Sequence, residues 1–537
     1  MSHSKSVLSS LLVLLLVTGC STLSSHPVTS GLERPRECQA FMDRLDDAVG
    51  RAGVRDASKV PVAGFPYLRT DRFLTALKDR LKTVPEKQQW LQLMLQANLE
   101  AGEKEIRNLS DTEVLALEAK ADGEEKLLDK ENERDGDLKS AQGRARERVG
   151  EQGTADTCRR KLYASMKACS NALLLHDQTR SGFFEALYPA VKVPGEYSSL
   201  MRIAGLYPLA SIPVALATER VHEKFTAWRA VPPEELPVRG KLIELTPSVP
   251  SPEGAGLDES TIKGMLKAST NNPLRIPLLG KEQTERVAAF FAPVFIQDVA
   301  AAYDLPGAVT RTTKGPDTDP RRPTVYYYTS YALLHHQPIL QINYVAWYSE
   351  RAGKGSPWME RGRLDGLTVR ASLDTEGQVF MVDTMNNCGC YHLFAPRKDK
   401  VLRTRYTHFP LEPFVPQWLP EAPPGEKLGI RVNSGWHQVQ LFLPVKASAG
   451  SASYELVSYD ALESLPGEND HPESIFDAQG IARGTERIEP FIFFSMGIHS
   501  VGSMRQRGHH AIELVGRAHF DDPYIFEKSF VFRRQPE

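Results

Sequence analysis

Apolar residues in the first part of the chain recur at helical spacing. Residues 38–49 repeat them every three or four positions, as one face of a helix requires. Residues 70–83 and 86–109 carry similar patterns, and the serine–glutamate spacing at 110–113 is that of a capping box. Near residue 156 the pattern resumes and predicts a helix with one face formed by Cys158, Leu162, Met166 and Cys169.

From Pro323 onward the pattern changes to that of β-strands. Residues 324–334 and 339–348 are rich in β-branched and aromatic side chains. Residues 367–385 and 427–444 each read as a hairpin with a polar turn in the middle. Three further strands are expected near the end of the chain, at residues 488–496, 509–520 and 524–532.

The order of these patterns predicts an α+β fold, with a helical region followed by a largely antiparallel sheet or sandwich. The charged, glycine-interrupted residues 118–152 hold too few apolar positions for a coiled coil and indicate a solvated, partly flexible segment. A helix is expected at 282–303, with Pro293 as a kink or break. We therefore divide the chain after residue 19 into a helical region (20–230), a proline-rich, irregular linker (231–280) and a mainly β domain with a leading helix (281–537).

One further stretch, residues 200–217, is strongly apolar. Its sequence is LMRIAGLYPLASIPVALA, which Arg202, Pro208 and Pro213 interrupt. This pattern favours a buried helix pair or loop over a membrane span, and a surface that rests on a membrane is the alternative.

The N-terminus carries an apolar run, Val7 to Val17, after Lys5. A membrane span takes about 20 apolar residues, so this run has instead the length of a signal-peptide core. The sequence that follows, Val17-Thr18-Gly19-Cys20, resembles the lipobox of bacterial lipoproteins. The resemblance implies a signal peptide at residues 1–19 and a lipid-modified Cys20. Ser21 in the next position implies sorting to the outer membrane, on the periplasmic side, with the inner membrane or the cell surface as alternatives.

Charge and motifs exclude several classes of function. The net charge is −2, and no basic stripe with interleaved aromatic residues is present, so we expect no nucleic-acid partner. The chain has no Gly-x-Ser-x-Gly elbow, since Ile498 replaces the first glycine before Ser500. It also lacks a His-Glu-x-x-His motif, a phosphate loop and a Gly-x-Gly-x-x-Gly motif.

Histidine and cysteine provide the candidate chemistry. Ten of the fourteen histidines lie in the last 203 residues, and imidazole binds metals and transfers protons near neutral pH. The sequence NNCGCYH at 386–392 places two cysteines beside a histidine. In a flat strand these side chains are about 6.6 Å apart along one face, so a common ion requires a turn at Gly389 and ligands from elsewhere. The candidate metal ligands, for zinc or a similar ion, are His336, Cys388, Cys390 and His392, with His437 and His510 as further possibilities.

The same cysteines are candidates for disulfides. In an oxidising periplasm we rank a local Cys388–Cys390 bridge through a kink at Gly389 first, a metal or catalytic role second, and buried thiols third. Cys38 is expected to pair with Cys158 or Cys169, which are about 16 Å apart on one helix and cannot bridge each other.

These observations favour a lipid-anchored envelope protein with a binding or structural role. Its partners are the membrane, through the lipid, and an envelope protein, peptide or glycan. The alternative is an envelope hydrolase, metal-dependent or thiol-using, with its site in the β domain, and a thiol–disulfide protein is a third possibility. A groove for sugar or peptide has six aromatic candidates: Tyr326, Tyr327, Tyr328, Tyr344, Trp347 and Trp436.

Overall fold

The computed structural model describes residues 35–119, 152–248, 258–405, 413–446, 452–467 and 471–533. The signal peptide and Cys20 lie outside this part of the chain, as does nearly all of the charged segment 118–152. The described part combines N-terminal helices with a large curled sheet, which confirms the predicted α+β fold. Within it, no helix is long and apolar enough to cross a bilayer.

The N-terminal helices begin where capping residues predict them. Asp71 accepts a hydrogen bond from the Leu74 N–H and caps the second helix, and Thr83 and Glu86 form a capping box at the third. The Glu113 N–H donates to the Ser110 hydroxyl at the fourth, as the sequence predicted. The elements of this region are α1 (Arg36–Ala52), β1 (Val60–Val62), β2 (Phe65–Thr70), α2 (Arg72–Leu77), α3 (Val84–Asn108), α4 (111–119) and α5 (Gln152–Gln178).

The helical region has its own apolar core. Trp90, Leu91 and Met94 of α3 are completely buried in it, together with Leu173 of α5. A disulfide between Cys38 of α1 and Cys169 of α5 ties the first helix to this core, with a Cα–Cα distance of 4.9 Å. This pairing is one of the two that the sequence predicted.

The remaining helices are shorter or lie against the sheet. They are α6 (Phe183–Ala190), α7 (Ser199–Ala204), α8 (Tyr207–Arg229), α9 (Glu259–Ser269), α10 (Lys281–Phe291), α11 (Glu489–Ile492) and α12 (Ile525–Ser529). Residues 200–217 form a helix pair as predicted, but most of their large apolar side chains are exposed rather than buried.

The main sheet has ten strands in the order β11-β10-β9-β8-β7-β15-β3-β4-β13-β14. Six neighbouring pairs are antiparallel, and three are parallel: β7 with β15, β15 with β3, and β4 with β13. Its strands are β3 (Lys241–Pro247), β4 (Val294–Val299), β7 (Thr324–Leu334), β8 (Gln337–Arg351), β9 (Gly362–Leu373), β10 (Val379–Asn386), β11 (Leu393–Pro396), β13 (Lys427–Val432), β14 (Val439–Val445) and β15 (Ala452–Ser458). Small two-stranded sheets pair β5 (Ala308–Thr312) with β6 (Gly315–Asp319), β12 (Val401–Thr404) with β18 (Phe530–Phe532), and β16 (Leu465–Pro466) with β17 (Pro472–Glu473).

The sheet curls until one segment contacts both of its edge strands. Residues 414–419 accept a hydrogen bond from Phe394 and donate one to Pro396 of β11. Gln417 in the same segment exchanges two hydrogen bonds with the backbone of Phe442 in β14. The concave interior is apolar, and Phe225 of α8 and Val287 of α10 are buried in it. The opposite face of β7–β9 lies across from α3.

Several predictions for the second half of the chain are wrong. The expected linker at 231–280 contains β3, a central strand, and α9. The helix predicted at 282–303 does break near Pro293, as expected, since it ends at Phe291, but the residues after the proline form β4 rather than more helix. The three C-terminal strands are largely absent from the described residues. The short helix α11 begins at Glu489, with Pro490 in its first turn, and residues 525–529 form α12 before β18. Residues 509–520 retain a single bridge, between Ala511 and His519.

Candidate functional site

A cavity of about 540 Å³ separates α3 from the face of the sheet opposite the apolar interior. Its walls come from five parts of the fold. These are the segment 56–74, which includes the start of α2, the α3 face that carries Gln96, Glu100 and Lys104, the loop from Ile276 into α10, strand β7, and the C-terminal segments around Arg507 and Asp521. The cavity therefore lies where the helical region meets the sheet.

The cavity exposes the outer edge of β7. Residues 328–331 are half-buried in the middle of a strand that is buried on both sides of them. The neighbouring strand β15 pairs with β7 only as far as Tyr327, because it ends at Ser458 and a 3-10 helix follows. Further along, the Leu333 N–H donates to the Pro523 carbonyl at 2.7 Å. Between these two points, no strand in the described part of the chain pairs with this edge.

The floor of the cavity is a polar ladder across three strands. The Ser330 hydroxyl of β7 donates to Gln341 of β8 at 3.1 Å, and Gln341 donates to Ser372 of β9 at 3.1 Å. The Asn343 amide also donates to Ser330, at 2.9 Å. Asn343 is fully buried, and its Oδ1 has no hydrogen-bond partner among the described residues. Since a buried polar atom is costly without a partner, Asn343 has an acceptor oxygen to offer a ligand.

Arg370 extends the floor toward β10. Its guanidinium binds both carboxylate oxygens of the buried Asp383, at 2.9 and 2.5 Å, and donates to the Phe520 carbonyl. His392 Nε2 contacts the same carboxylate at 2.8 Å. Burial opposes ionisation of Asp383, but Arg370 and His392 together keep its pKa below the usual range. Burial lowers the pKa of His392, which favours its neutral form. This histidine does not line the cavity, and it contacts the carboxylate that binds Arg370.

The charged groups of the wall balance one another. Six basic and six acidic side chains line the cavity, and several form ion pairs, including Arg72 with Asp521 at 3.1 Å and Lys104 with Asp460 at 3.1 Å. Burial raises the pKa of Asp521 to about 6, despite its pairing with Arg72. The wall thus suits a polar ligand that is uncharged or that carries both positive and negative groups, rather than a strongly anionic or cationic one.

No protein-family model, curated protein or solved structure matches this chain. The role of the cavity therefore has to come from the residues that line it.

The structure does not bring the four candidate metal ligands together. His335 and His336 have φ of 48° and 64° and form the two-residue turn between β7 and β8, a turn type that requires positive φ at both positions. His336 is exposed there, just before β8 begins at Gln337. Cys388 follows the end of β10, whose last residue is level with Ala346 of β8 through the pairing with β9. Gln337 and Ala346 are nine positions apart along β8, which corresponds to about 30 Å. In the described residues, no group of three or more His, Cys, Asp or Glu side chains is arranged to hold a metal ion, zinc included.

The cysteine pair adopts the predicted kink without the predicted bridge. Gly389 has φ of 93°, and the turn closes with hydrogen bonds from Gly389 to Asn386 and from Asn386 to Cys390. This turn directs the Cys390 N–H to the Cys388 sulfur at 3.4 Å, and both cysteines remain thiols. Hydrogen bonding from Cys390 lowers the pKa of the Cys388 thiol, against the effect of burial. The predicted Cys388–Cys390 disulfide is therefore wrong, and the two cysteines are adjacent thiols. Neither of them lines the cavity.

The other candidate histidines are structural. His437 is fully buried between Asp365, at 2.7 Å, and Asp304, at 3.3 Å, and stacks on Tyr348. Arg351 binds Asp365 with two further hydrogen bonds. Burial lowers the pKa of His510 to about 3, so this side chain is neutral.

Of the six aromatic candidates, only Tyr327 and Tyr328 line the cavity, and the other four are core residues. The polar floor was missed at the sequence level. Its signal was present as polar residues at alternate positions within apolar strands, namely Gln341, Asn343, Arg370 and Ser372.

Proposed function

We propose that the protein is a lipid-anchored envelope protein that binds a short peptide in the cavity between α3 and β7. The observation that supports this proposal best is the unpaired edge of β7 inside a cavity with a polar floor. An exposed strand edge recognises extended peptides by adding them to the sheet, with backbone hydrogen bonds for affinity and side-chain pockets for specificity.

The dimensions of the edge suit such a peptide. From Tyr327 to Leu333 it spans six residue steps, or about 20 Å, which is enough for a strand of about five residues. Leu333 donates outward to Pro523, so the N–H groups of Thr329 and Tyr331, at the same strand parity, also point outward into the cavity. A bound peptide would direct alternate side chains to opposite faces of the sheet, one set toward α3 and the other toward α10.

The strand edge and the Asn343 oxygen favour a peptide over a glycan. A peptide carries both donors and acceptors at strand spacing, and its amide N–H groups match the free Asn343 oxygen. A glycan offers no such repeat of backbone donors and acceptors. The hydrolase alternative gains no support, because neither thiol lines the cavity and no metal-holding group is found in the described residues.

The binding test uses fluorescence polarisation with pools of dye-labelled pentapeptides. Thr329→Pro removes one outward N–H of β7, whereas the control Thr329→Val keeps that donor and a similar side-chain shape. We expect Thr329→Pro to weaken binding by at least tenfold and Thr329→Val to bind like the parent. Equal binding by all three proteins, or binding of a neutral oligosaccharide with no peptide competition, would contradict the proposal. Thermal melts exclude misfolded variants.

The anchor is tested separately, by metabolic labelling with a fatty-acid analogue. We expect label in the parent and none in Cys20→Ser, because the resemblance to a lipobox assigns the acyl chains to this cysteine. Equal label in both would refute the anchor and leave the peptide-binding proposal standing.

A further inference from the structure

Two segments that are far apart in sequence form one exposed apolar surface. The first comprises α7 and the start of α8, and the second comprises α11 and the turn after it. They are joined where Ser198 donates to the Gly497 carbonyl and Arg202 donates to the Met496 carbonyl. Phe491 is 86% exposed and Leu200 is 77% exposed, far beyond what a packed helix shows. We call this the apolar surface; its exposed residues are Leu200, Ile203, Leu206, Leu209, Ile212, Leu216, Ile488, Phe491, Ile492 and Phe494.

The charged residues of both segments turn inward. Arg202 is the only charged residue in 199–217, and it is buried between the rings of Tyr197 and Tyr207, 4.8 and 4.2 Å from their centres. Glu489 is the only charged residue in 488–494, and it is also buried. The apolar surface is therefore free of exposed charge over both segments.

We infer that this surface inserts into a lipid membrane, at the boundary between headgroups and acyl chains of the leaflet that it faces. Contiguous exposed apolar patches of this kind mark interaction sites. An ordinary protein-binding patch is only about 56–58% apolar and mixes polar groups into its rim, whereas a surface that rests in a bilayer excludes charge. The inference rests on the proposed lipid anchor only because the anchor would keep the folded part at a membrane, where this surface can make a second contact.

A basic side chain lies at the edge of the apolar surface. Arg517 is exposed beside the start of α7, where it donates to the Ser199 hydroxyl at 2.9 Å. This guanidinium is placed to contact a lipid phosphate when the apolar surface is inserted.

The test is flotation with vesicles of phosphatidylethanolamine and phosphatidylglycerol. It uses the mature chain from residue 20 with Cys20→Ser, so that no acyl chain contributes. We expect this protein to float and the added pair Leu209→Asp and Phe491→Asp to reduce the floated fraction at least tenfold. The matched control is Leu175→Asp on α5, where the leucine is 68% exposed, much as Leu209 is at 67%.

Three outcomes would overturn the inference. The first is a parent protein that does not float, and the second is equal loss in the control and in the double variant. The third is a concentration-dependent dimer that the double variant abolishes, which would assign the surface to a second copy of the chain. Peptide binding by the double variant, measured as above, shows whether the cavity still works, so a failure here is distinct from a failure of the proposed function.

Discussion

At the residue scale, Glu489 shows how burial in the fold changes the pKa of a single carboxyl group. Its carboxyl is buried near Cys388 and Glu360, and Oε2 has no partner among the described residues. Gly502 packs so closely that a Cβ there would lie 1.9 Å from this oxygen. Burial, together with repulsion from Cys388 and Glu360 when those groups are ionised, raises the pKa of Glu489 to about 8. The side chain that leaves the apolar surface free of charge is thus itself uncharged at neutral pH.

This raised pKa predicts a pH-dependent stability. The unfolded chain releases the proton near pH 4.5, while the folded protein keeps it to about pH 8. Glu489 therefore stabilises the fold fully below pH 4.5, and this contribution is lost as the pH rises to about 8, at up to about 1.4 kcal/mol per pH unit. Glu489→Gln removes this loss, so we expect its stability relative to the parent to increase between pH 5 and 8.

Urea unfolding at several pH values measures this difference. Glu486→Gln is the control, because Glu486 lies three residues earlier with an exposed side chain. Parallel curves for the parent and Glu489→Gln from pH 5 to 8 would contradict the assignment.

At the element scale, the Cys38–Cys169 disulfide constrains the helical region. It joins α1 to α5 across a sequence separation of 131 residues. The chain-entropy model assigns such a loop about 5 kcal/mol, and strain or residual structure reduces this value. We expect the double variant Cys38→Ser, Cys169→Ser to lose about 3–5 kcal/mol of unfolding free energy in urea.

A reductant provides the control for this prediction. The described thiols at 158, 388 and 390 are not disulfide-bonded, so reduction acts on the one described bridge. Reductant is therefore expected to bring the parent to the level of the double variant and to leave the variant unchanged. Peptide mapping without reductant that finds Cys38 alkylated would contradict the pairing.

Sequence patterns predicted the elements with strong local signals. Helix α3 and strands β7 and β8 lie within a few residues of their predicted positions, because capping residues and long apolar periodicity fix them locally. Residues 488–496 resemble a strand in composition, but Pro490 favours a helix start, and the apolar side chains serve an external surface instead of a sheet. Strand β3 was missed because prolines flank it and its partners, β4 and β15, lie far away in sequence.

The candidate site was less predictable than the fold. The cavity depends on β15 leaving β7 at Ser458, a long-range pairing that no local pattern encodes. Histidine and cysteine were predicted as metal ligands from their residue type alone, but His336 forms part of a turn and His437 belongs to a buried ion cluster. Asn343 and Gln341 are common residue types, and their importance follows only from burial against a cavity.

At the scale of the whole molecule, buried polar contacts join the helical region to the C-terminal part. Lys104 of α3 forms ion pairs with Asp460 and Glu463, and Asn108 donates to the Glu463 carbonyl at 2.8 Å. Arg507 binds the same two carboxylates from the other side. Glu463 is buried and Lys104 is nearly so, whereas Asp460 is exposed. Separating the two parts would therefore leave the buried charge of Glu463 without compensation.

We therefore expect the chain to unfold as one cooperative unit, although chains of this length often unfold in stages. In urea, the helical circular-dichroism signal and tryptophan fluorescence are predicted to give coincident transitions. The two signals report on different parts, since Trp90 is the only tryptophan before α8 and the other five lie in α8 or beyond. Glu463→Gln weakens the shared network and is expected to shift both curves together, by about 3–5 kcal/mol if the pair with Lys104 is broken. Glu376→Gln, at the half-exposed Lys263–Glu376 pair, is the control and should shift neither by more than about 1 kcal/mol. A fluorescence transition that separates from the helical one would show instead that the helical region and the sheet fold independently, and the cavity between them would then open without unfolding either part.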